Sequence, residues 1–192
     1  MAADMKRAHV VILAAILVGV GVWQLGHGVW IYAKAELAQY LLRRAWERTL
    51  QGQTHAKPWP WADTWPLGRL QMPKYGIDLI LLAGASGRTL AFGPGHVSSS
   101  ALPGSRGTTI LSAHRDTHFR FLARVRKGDD ILVEGAEKGR NRYRVTRTDI
   151  VDARTTTIAS SDEDVLVLVT CYPFDTIMPG SPMRYIVTAE GW

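Results

Sequence analysis

Cysteine is almost absent from this sequence, since one cysteine, Cys171, stands among 192 residues. A disulfide framework and a sulfur-rich zinc or iron–sulfur site each need several cysteines, so both are excluded within this chain. A dense run of lysine and arginine is absent as well, although basic residues outnumber acidic ones by 23 to 17. The sequence therefore gives no support to nucleic-acid binding. Cys171 is left as either a buried, inert thiol or a nucleophile.

Charge is missing from residues 8–33, a run of 26 residues without Asp, Glu, Lys or Arg. About 20 helical residues suffice to cross the hydrocarbon core of a bilayer. Trp23, Trp30 and Tyr32 lie toward the end of the run, where amphipathic rings favour the membrane interface. We expect residues 1–33 to form a cytoplasmic tip and an N-terminal transmembrane helix that acts as an uncleaved signal anchor.

A cleaved signal peptide is the alternative for this segment. Lys6 and Arg7 precede the apolar run, and Ala33-Lys-Ala35 offers a small-x-small cleavage pattern. Signal peptides usually have an apolar region of about 7–15 residues, which is shorter than this run. Basic residues also follow the run, among them Lys34, so the charge bias taken alone points the wrong way for export of the domain. Long domains translocate largely regardless of charge, so the orientation of the span stays open.

Residues 34–66 predict a helix followed by a tether. Residues 34–50 have the period of an amphipathic helix, with Leu41, Leu42 and Ala45 on one face. Residues 57–66 contain three prolines, which block helix and interior strand, and three tryptophans, which favour burial. We expect a tether packed onto a surface, with a tryptophan belt near the membrane interface as the alternative.

Short β-patterns dominate the remainder, residues 67–192, which we expect to be one catalytic domain. They are separated by glycine and proline turns, including Lys138-Gly139, and only residues 119–125 have a helical pattern. Seven or eight strands predict an all-β fold, either a barrel or a sandwich. The predicted strands are residues 67–72, 77–82, 107–113, 130–134, 141–147, 148–152, 165–170 and 184–189.

Three residues that can carry chemistry stand at strand termini. Cys171 ends an aliphatic run, His114 follows a second run, and Arg184 begins a third one thirteen residues after the cysteine. A thiol beside a histidine can form a thiolate–imidazolium pair, and a fixed cation can stabilise an oxyanion. Each residue alone also fits a structural role, whereas the three together favour a nucleophilic site.

The combination resembles the sortases, membrane-anchored cysteine transpeptidases built on an eight-stranded β-barrel. Val167-Leu-Val-Thr-Cys171 supplies the L-x-T-C part of their nucleophile motif. Ser112-Ala-His114-Arg115 and Met183-Arg184-Tyr185 are similar to their histidine and arginine segments. Val167 and Ala113 depart from the residues that the family often has there, Thr and Gly. The resemblance implies a closed eight-stranded barrel with short helices, preceded by the transmembrane and amphipathic helices.

The resemblance also implies the roles of the site residues. Cys171 would attack the scissile carbonyl of a sorting signal and form a thioester. His114 would protonate the leaving amine and then deprotonate the incoming amine. Arg184 would hold the substrate or the oxyanion. Thr170 would line the groove floor, the Tyr172 backbone N–H would be a second oxyanion donor, and His118 would lie near the substrate.

Residues 57–66, 91–96 and 114–119 are most similar to the sortases of Gram-negative bacteria. The resemblance then implies an inner-membrane protein with one span and a catalytic domain facing the periplasm. Its partners would be a secreted protein with a C-terminal sorting signal and an amine acceptor, and residues 172–183 would help to read the signal. Neither a cofactor nor a metal ion is needed, because a thioester divides the amide exchange into two easier steps.

Two other readings remain. His114, His118 and Cys171 could be three ligands of a metal ion if residues 114–118 were helical, although Arg184 would then have no role. A membrane-tethered β-domain that binds a partner without catalysis would give Cys171 no role. The glycine-rich segment 84–89 lacks the G-K-[ST] ending of a phosphate-binding loop and is predicted to be a turn.

Overall fold

The computed structural model describes residues 2–136, 139–176 and 180–192, without the side chains of residues 2–8, 10–15, 28–29 and 31–32. The chain divides into two units, Met1–Tyr40 and Leu41–Trp192. Helix α1 (Ala2–Leu50) makes up the described part of the first unit, and its residues from Leu41 onward belong to the second unit. The predicted turn residue Lys138 and part of the 172–183 loop lie outside the described residues.

No helix in the described part of the chain combines the length and the apolar character that a membrane crossing requires. The transmembrane helix predicted within residues 1–33 is therefore not found there.

Helix α1 ends at Leu50, as the sequence predicts. Gly52 adopts a left-handed φ of 92°, and the Gln53 N–H donates to the Arg48 carbonyl oxygen at 3.0 Å. A glycine at this position closes a helix without the steric cost that a Cβ would add. The chain can therefore leave the helix sharply and enter the tryptophan-rich segment.

The last turns of α1 bury an apolar face within the second unit. Leu42 is fully buried and Trp46 is 4% exposed. Both pack with Ile80 and Leu82 in a cluster separate from the main core. Burying two large side chains contributes about 2 kcal/mol each, so this helix end belongs energetically to the second unit.

The tryptophan-rich segment after α1 is packed onto the barrel, as predicted, except at its tip. Trp59 lies edge-to-face against Phe92 at 5.0 Å between ring centroids. Thr64 is buried, and its hydroxyl donates to the Ala83 carbonyl oxygen at 2.8 Å. Trp61, in contrast, is 82% exposed, so only part of the predicted burial occurs.

Eight strands close into a barrel in the spatial order β1-β2-β3-β4-β7-β8-β6-β5. Strands β2 and β3 pair in parallel, as do β4 and β7, and the other neighbours are antiparallel. The expected closed eight-stranded barrel is confirmed. The strands are β1 (Pro66–Met72), β2 (Ile77–Ala83), β3 (Gly95–His96), β4 (Thr108–Ser112), β5 (Asp130–Gly135), β6 (Gly139–Asp152), β7 (Val165–Cys171) and β8 (Met183–Gly191).

The predicted strand list is wrong in two places. The strands predicted at 141–147 and 148–152 are one strand, β6, whose pairing with β8 shifts between Val145 and Arg147. A β-bulge interrupts the alternation of apolar and polar residues without ending the strand. Strand β3 was missed because two residues are too few to show a periodic pattern.

Within the described ranges, three short helical segments join the strands. Residues 119–125 form a 3₁₀ helix over Arg120–Arg124, close to the predicted position, and its Phe121 and Leu122 are buried. The sequence did not predict the 3₁₀ turn Pro73–Tyr75 or helix α2 (Gly87–Leu90). Phe121 and Leu122 join Leu111, Leu168 and Val187 in the barrel core. This core fixes the ends of the strands near which His114, Cys171 and Arg184 lie.

Candidate active site

Cys171 is the last residue of β7, and its thiol-bearing side chain is partly buried. The strand before it is almost entirely aliphatic and buried, which fixes its position in the sheet. On one side β7 pairs with β4 in parallel, and on the other side it pairs with β8. The cysteine thus stands where a well-ordered strand reaches the rim of the barrel.

The strand register brings His114, Cys171 and Arg184 into one row. Cys171 lies directly opposite Arg184 in the β7–β8 pair. Strand β4 keeps a constant register with β7 up to Ser112 and Val169, and the Ala113 N–H still donates to the Val169 carbonyl oxygen at 3.3 Å. One further residue places His114 beside Cys171. Neighbouring strands lie about 4.8 Å apart, so the backbone of Cys171 has that of His114 on one side and that of Arg184 on the other.

The row of His114, Cys171 and Arg184, named the catalytic row after the roles that the resemblance implies, faces outward from the barrel. Leu168 and Val187 form a pair whose side chains are fully buried in the core. Cys171 is three residues beyond Leu168, and alternate residues of a strand point to opposite faces. The row therefore shares its face with Val169 and Ser112, which are partly exposed. Together these residues make a strip on which an extended peptide could lie beside the thiol.

Thr170 points into the barrel and does not line this strip. It is 2% exposed, and its hydroxyl donates to the Ala113 carbonyl oxygen at 2.7 Å. The prediction that Thr170 forms the groove floor is wrong, because the alternation that turns Cys171 outward turns Thr170 inward. Its hydroxyl instead fastens the end of β7 to the residue before His114.

The two expected oxyanion donors, Arg184 and the Tyr172 N–H, both donate a hydrogen bond to the Met183 carbonyl oxygen. Arg184 Nη1 donates to the Met183 carbonyl oxygen at 2.9 Å and to the Ser181 carbonyl oxygen at 2.7 Å. The Tyr172 N–H donates to the Met183 oxygen as well, at 3.0 Å. The predicted role of the Tyr172 N–H as a second oxyanion donor stays a prediction, and it requires this N–H to leave the Met183 oxygen.

Asp152 lies close enough to the catalytic row for its charge and that of Arg184 to interact. Four hydrogen bonds from Arg154, one of them from its backbone N–H, lower the pKa of Asp152 to about 2, and the Arg184 guanidinium adds a smaller effect. Asp152 ends β6, where it pairs with Met183. Sequence reasoning missed this residue, because only the β6–β8 register brings it near.

His118 is partly buried beside the loop that carries His114. Burial lowers the pKa of His118, and the charge of His114 lowers it further. A neutral His118 is thus expected at neutral pH, next to the imidazole that would carry a proton in catalysis. In the described part of the chain no hydrogen bond joins His114 to the Cys171 thiol.

Aromatic rings border the row on the β7–β8 side. Tyr172 stacks on Tyr185 with ring centroids 6.4 Å apart, and Phe174 meets the Tyr185 ring edge at 5.1 Å. The two loops that leave the row are also tied together, because Arg115 donates to the Thr176 carbonyl oxygen at 2.9 Å. These contacts give the rim of the barrel a defined shape around the thiol.

The positions of His114 and His118 argue against the hypothesis that these residues and Cys171 bind a metal ion. Residues 115–119 form turns, so His114 and His118 are not on one face of a helix. Among the described residues no group of three His, Cys, Asp or Glu side chains could hold a metal ion. The structure thus brings together the residues of a nucleophilic site: a thiol, an imidazole and a guanidinium.

The fold and the row define a class of protein, a closed β-barrel with a single thiol, an imidazole and a guanidinium at its rim. The family model described as the sortase domain matches residues 70–191. The chain therefore belongs to the sortase family, and the predicted resemblance is confirmed.

Known proteins are similar over most of the barrel. Sortase D of Bacillus subtilis is 35% identical over 122 residues, which are 62% of this chain and 61% of that protein. A Clostridium perfringens Sortase D5 transpeptidase structure has a TM-score of 0.65 at 20% identity and covers 82% of this chain and 99% of its own. Sortase A from Corynebacterium diphtheriae has a TM-score of 0.60 at 24% identity, with coverage of 69% and 63%. The chain spans about three fifths of the length of Sortase D.

Proposed function

We propose that this protein is a cysteine transpeptidase that cleaves a sorting signal of another protein and transfers the acyl part to an amine. The observation that carries the proposal is the strand register, which pairs Cys171 with Arg184 and, continued two residues beyond the end of β4, brings His114 next to Cys171. Family membership supports it independently, since the matching model covers residues 70–191, which are all of the barrel except the first residues of β1.

In the first half-reaction, the Cys171 thiolate attacks the carbonyl carbon of the scissile amide. The carbon–nitrogen bond breaks, and the imidazolium of His114 gives its proton to the leaving amine. The product is a thioester on Cys171. In the second half-reaction, a neutral amine attacks the thioester, His114 accepts the released proton, and the carbon–sulfur bond breaks to restore the thiolate.

Arg184 would stabilise the oxyanion of both tetrahedral intermediates. Its guanidinium donates to the carbonyl oxygens of Met183 and Ser181, in the strand residue and the loop that precede Arg184, which is itself paired with Cys171. An oxyanion is a stronger acceptor than a neutral carbonyl oxygen, so the substrate would replace one of these contacts in the transition state. In this scheme the Arg184 guanidinium supplies the positive charge that the oxyanion needs, so no cofactor is required.

Release of an amine from peptides tests the activity. The full chain is mixed with a library of pentapeptides that each end in an amide-linked fluorescent amine, and fluorescence release is followed with and without triglycine. We expect release that depends on Cys171 and a new peptide–triglycine product. Substitution Cys171→Ala should reduce the rate at least about a thousandfold, and Arg184→Ala by about a hundredfold or more.

Two matched control variants distinguish loss of a residue in the row from loss of a surface residue of the same type. His55→Ala and Arg147→Ala each remove an exposed residue of the same type outside the row. Both should leave the rate within about twofold of the unchanged protein, whereas His114→Ala should abolish turnover. Release that survives Cys171→Ala would exclude the proposed mechanism.

We also propose a single N-terminal anchor in the inner membrane, with the catalytic unit facing the periplasm of a Gram-negative cell. The support is the uncharged run of residues 8–33 and the sequence resemblance at 57–66, 91–96 and 114–119. The partner would be a secreted protein with a C-terminal sorting signal. We expect carbonate-washed membranes to retain the chain with its N-terminus intact. We also expect protease to reach the barrel only from the periplasmic side. Recovery of a chain that lacks residues 1–33 would contradict the anchor.

A further inference from the structure

A hollow with a basic lining lies beside the 3₁₀ turn that follows β1. It has a volume of about 470 Å³. Lys74 and Tyr75 line it from that turn, and Arg124 and Arg126 line it from the end of the second 3₁₀ helix and the residues after it. Its other lining residues carry no charge. We call it the basic hollow, and the proposed transpeptidation gives it no role.

The ring of Tyr75 fixes two of the cations in the basic hollow. The Arg124 guanidinium carbon and the Lys74 ammonium nitrogen each lie 5.4 Å from the ring centroid. A cation over the face of an aromatic ring is attracted by the quadrupole of the ring. The Tyr75 hydroxyl is itself held, because it donates to the buried Asp129 carboxylate at 2.6 Å. Two positive groups therefore have fixed places at the hollow without any ligand.

Positive charge exceeds negative charge at the basic hollow. Asp129 forms an ion pair with Lys74, so these two charges balance each other. Neither Arg124 nor Arg126 forms an ion pair with a residue that the structure describes. The surrounding sequence, residues 117–128, has four Lys or Arg residues and no Asp or Glu. Two guanidinium groups thus line the hollow without a counter-charge.

This donor set suits a phosphate group better than a carboxylate. A guanidinium binds phosphate through paired N–H donors, and an ammonium group binds it as a point charge. Lys74 stands on one wall of the hollow, and Arg124 and Arg126 stand on the other. Phosphate oxygens point in several directions and can accept from both walls, whereas the two oxygens of a carboxylate lie in one plane. The volume also lies within the range of about 300–1,000 Å³ that is usual for ligand sites.

The basic hollow lies at the end of the barrel that carries the catalytic row. Four antiparallel pairings lead from β7 through β8, β6 and β5 to β1, so β1 and β7 run in the same direction. The turn after β1 and Cys171 at the end of β7 are therefore at the same end of the barrel. A ligand in the hollow would be held at this end.

We propose that the basic hollow binds the phosphate group of a lipid headgroup or of a soluble phosphate ester. Arg124 and Arg126 donate to the phosphate oxygens through their guanidinium N–H groups. Lys74 donates from the opposite wall through the ammonium N–H groups that Asp129 does not use. The site requires neither the Cys171 thiol nor the proposed transpeptidase function.

Protection of arginine from phenylglyoxal tests the site in the full chain. The chain is held in dodecyl maltoside micelles, which contain no phosphate, and mass spectrometry of its peptides gives the modification rate of each arginine. Inorganic phosphate should slow modification of Arg124 and Arg126 at least about threefold and saturably, whereas potassium chloride of equal ionic strength should not. Arg106, an exposed arginine in the loop before β4, is the internal control and should react at an unchanged rate.

Charge-neutral variants test the two arginines separately. Arg124→Gln should raise the Kd of phosphate about threefold or more, as measured by protection of Arg126, and Arg126→Gln should do the same for protection of Arg124. Both side chains are exposed, so melting temperatures close to that of the unchanged protein are expected. Arg106→Gln is the matched control and should leave the Kd unchanged.

Nanodiscs distinguish the two sources of the phosphate group. The full chain is placed in discs of phosphatidylcholine with or without phosphatidylglycerol, an anionic lipid. Slower modification of Arg124 and Arg126 in the phosphatidylglycerol discs, with no phosphate added, would support a lipid headgroup. Equal rates in both discs, with slowing by added glycerol phosphate, would support a soluble ester.

Three results would overturn the phosphate site. The first is a lack of protection of Arg124 and Arg126 by inorganic phosphate, glycerol phosphate and phosphatidylglycerol alike. The second is equal slowing at Arg106, which would show a general effect of anions on arginine modification. The third is an unchanged Kd in both Arg124→Gln and Arg126→Gln.

Discussion

At the scale of single residues, one buried hydroxyl holds the residue that precedes His114. Thr170 lies beside Cys171 in the chain, yet its side chain points to the other face and bonds the Ala113 carbonyl oxygen. His114 follows Ala113 directly. The hydroxyl thus links the cysteine strand to the histidine loop, and we regard Thr170 as a positioning residue.

Substitution Thr170→Val preserves the shape of the side chain and removes this donor. We expect the free energy of unfolding to fall by about 1–2 kcal/mol, because a buried carbonyl loses its hydrogen bond. The rate of peptide cleavage should fall at least about tenfold through misplacement of His114. Thermal unfolding and the fluorescent-peptide assay measure the two effects.

Thr146→Val is a suitable control for this prediction. The Thr146 hydroxyl also donates to a backbone carbonyl, that of Thr188, at 3.3 Å, but from β6. A small loss of stability with an unchanged cleavage rate is expected. If both variants slowed cleavage equally, the special role of Thr170 would be lost.

The row of His114, Cys171 and Arg184 could be expected from the sequence because each residue stands at the end of a strongly patterned strand. The inward turn of Thr170 follows from the same alternation, once Cys171 is known to face outward. The bond between Arg184 and the Met183 oxygen could not be predicted, since it depends on the side-chain conformation of Arg184. Asp152 was missed because its approach requires the β6–β8 register.

At the scale of elements, a polar cluster fastens the 3₁₀ turn after β1 to the start of β5. Asp129 is 6% exposed and accepts a hydrogen bond from the Tyr75 hydroxyl at 2.6 Å. Lys74 forms an ion pair with the same carboxylate, and the Arg126 N–H donates to it at 2.9 Å. Three separate donors thus converge on one buried acid.

This cluster predicts a dependence of stability on pH. Burial alone would raise the pKa of Asp129, but the hydrogen bonds from Lys74, Tyr75 and Arg126 outweigh it and lower the pKa. A lowered pKa in the folded state adds stability above the unfolded pKa of about 4, which is lost as the pH falls through the folded value. Asp129→Asn should therefore be less stable than the unchanged protein at pH 7, and the difference should shrink below about pH 4.

Urea unfolding at several pH values measures this difference. Asp130→Asn provides the control, because Asp130 is exposed and pairs with Arg144 at the surface. Its effect should be below about 1 kcal/mol. A difference between the Asp129→Asn and unchanged proteins that stayed constant from pH 7 to pH 3 would contradict the account.

The strands were predictable to the extent that their alternation was long enough to detect. Strands β7 and β8 follow their predicted bounds within a few residues, because their apolar runs are bounded by turns. A bulge in β6 broke its pattern into two, and β3 was too short to have one. Closure into a barrel could not be derived from periodicity alone and came from the family resemblance.

At the scale of the whole molecule, the second unit includes the end of a helix that precedes the barrel in the chain. The second unit begins at Leu41, and two helix residues soon after this boundary, Leu42 and Trp46, are buried. These two side chains cover Ile80 and Leu82 on β2. Without the helix end, Phe92 would be the partner that this cluster keeps against the two β2 side chains.

Two truncations test this boundary. A chain of residues 41–192 should keep the thermal stability of the barrel, whereas a chain of residues 52–192 should lose about 4 kcal/mol through exposure of the β2 surface. Differential scanning calorimetry on both chains measures the loss. Equal melting temperatures would show that the helix end contributes nothing to the barrel.

The most direct test of the whole account is the intact mass of the full chain during turnover of a cleavable pentapeptide. Because the chain has a single cysteine, one acyl adduct is the maximum that a thioester mechanism allows. The account predicts an added mass equal to the acyl part of the peptide, absent from Cys171→Ala and removed by hydroxylamine. Cleavage without such an adduct, or an adduct that persists in Cys171→Ala, would contradict it.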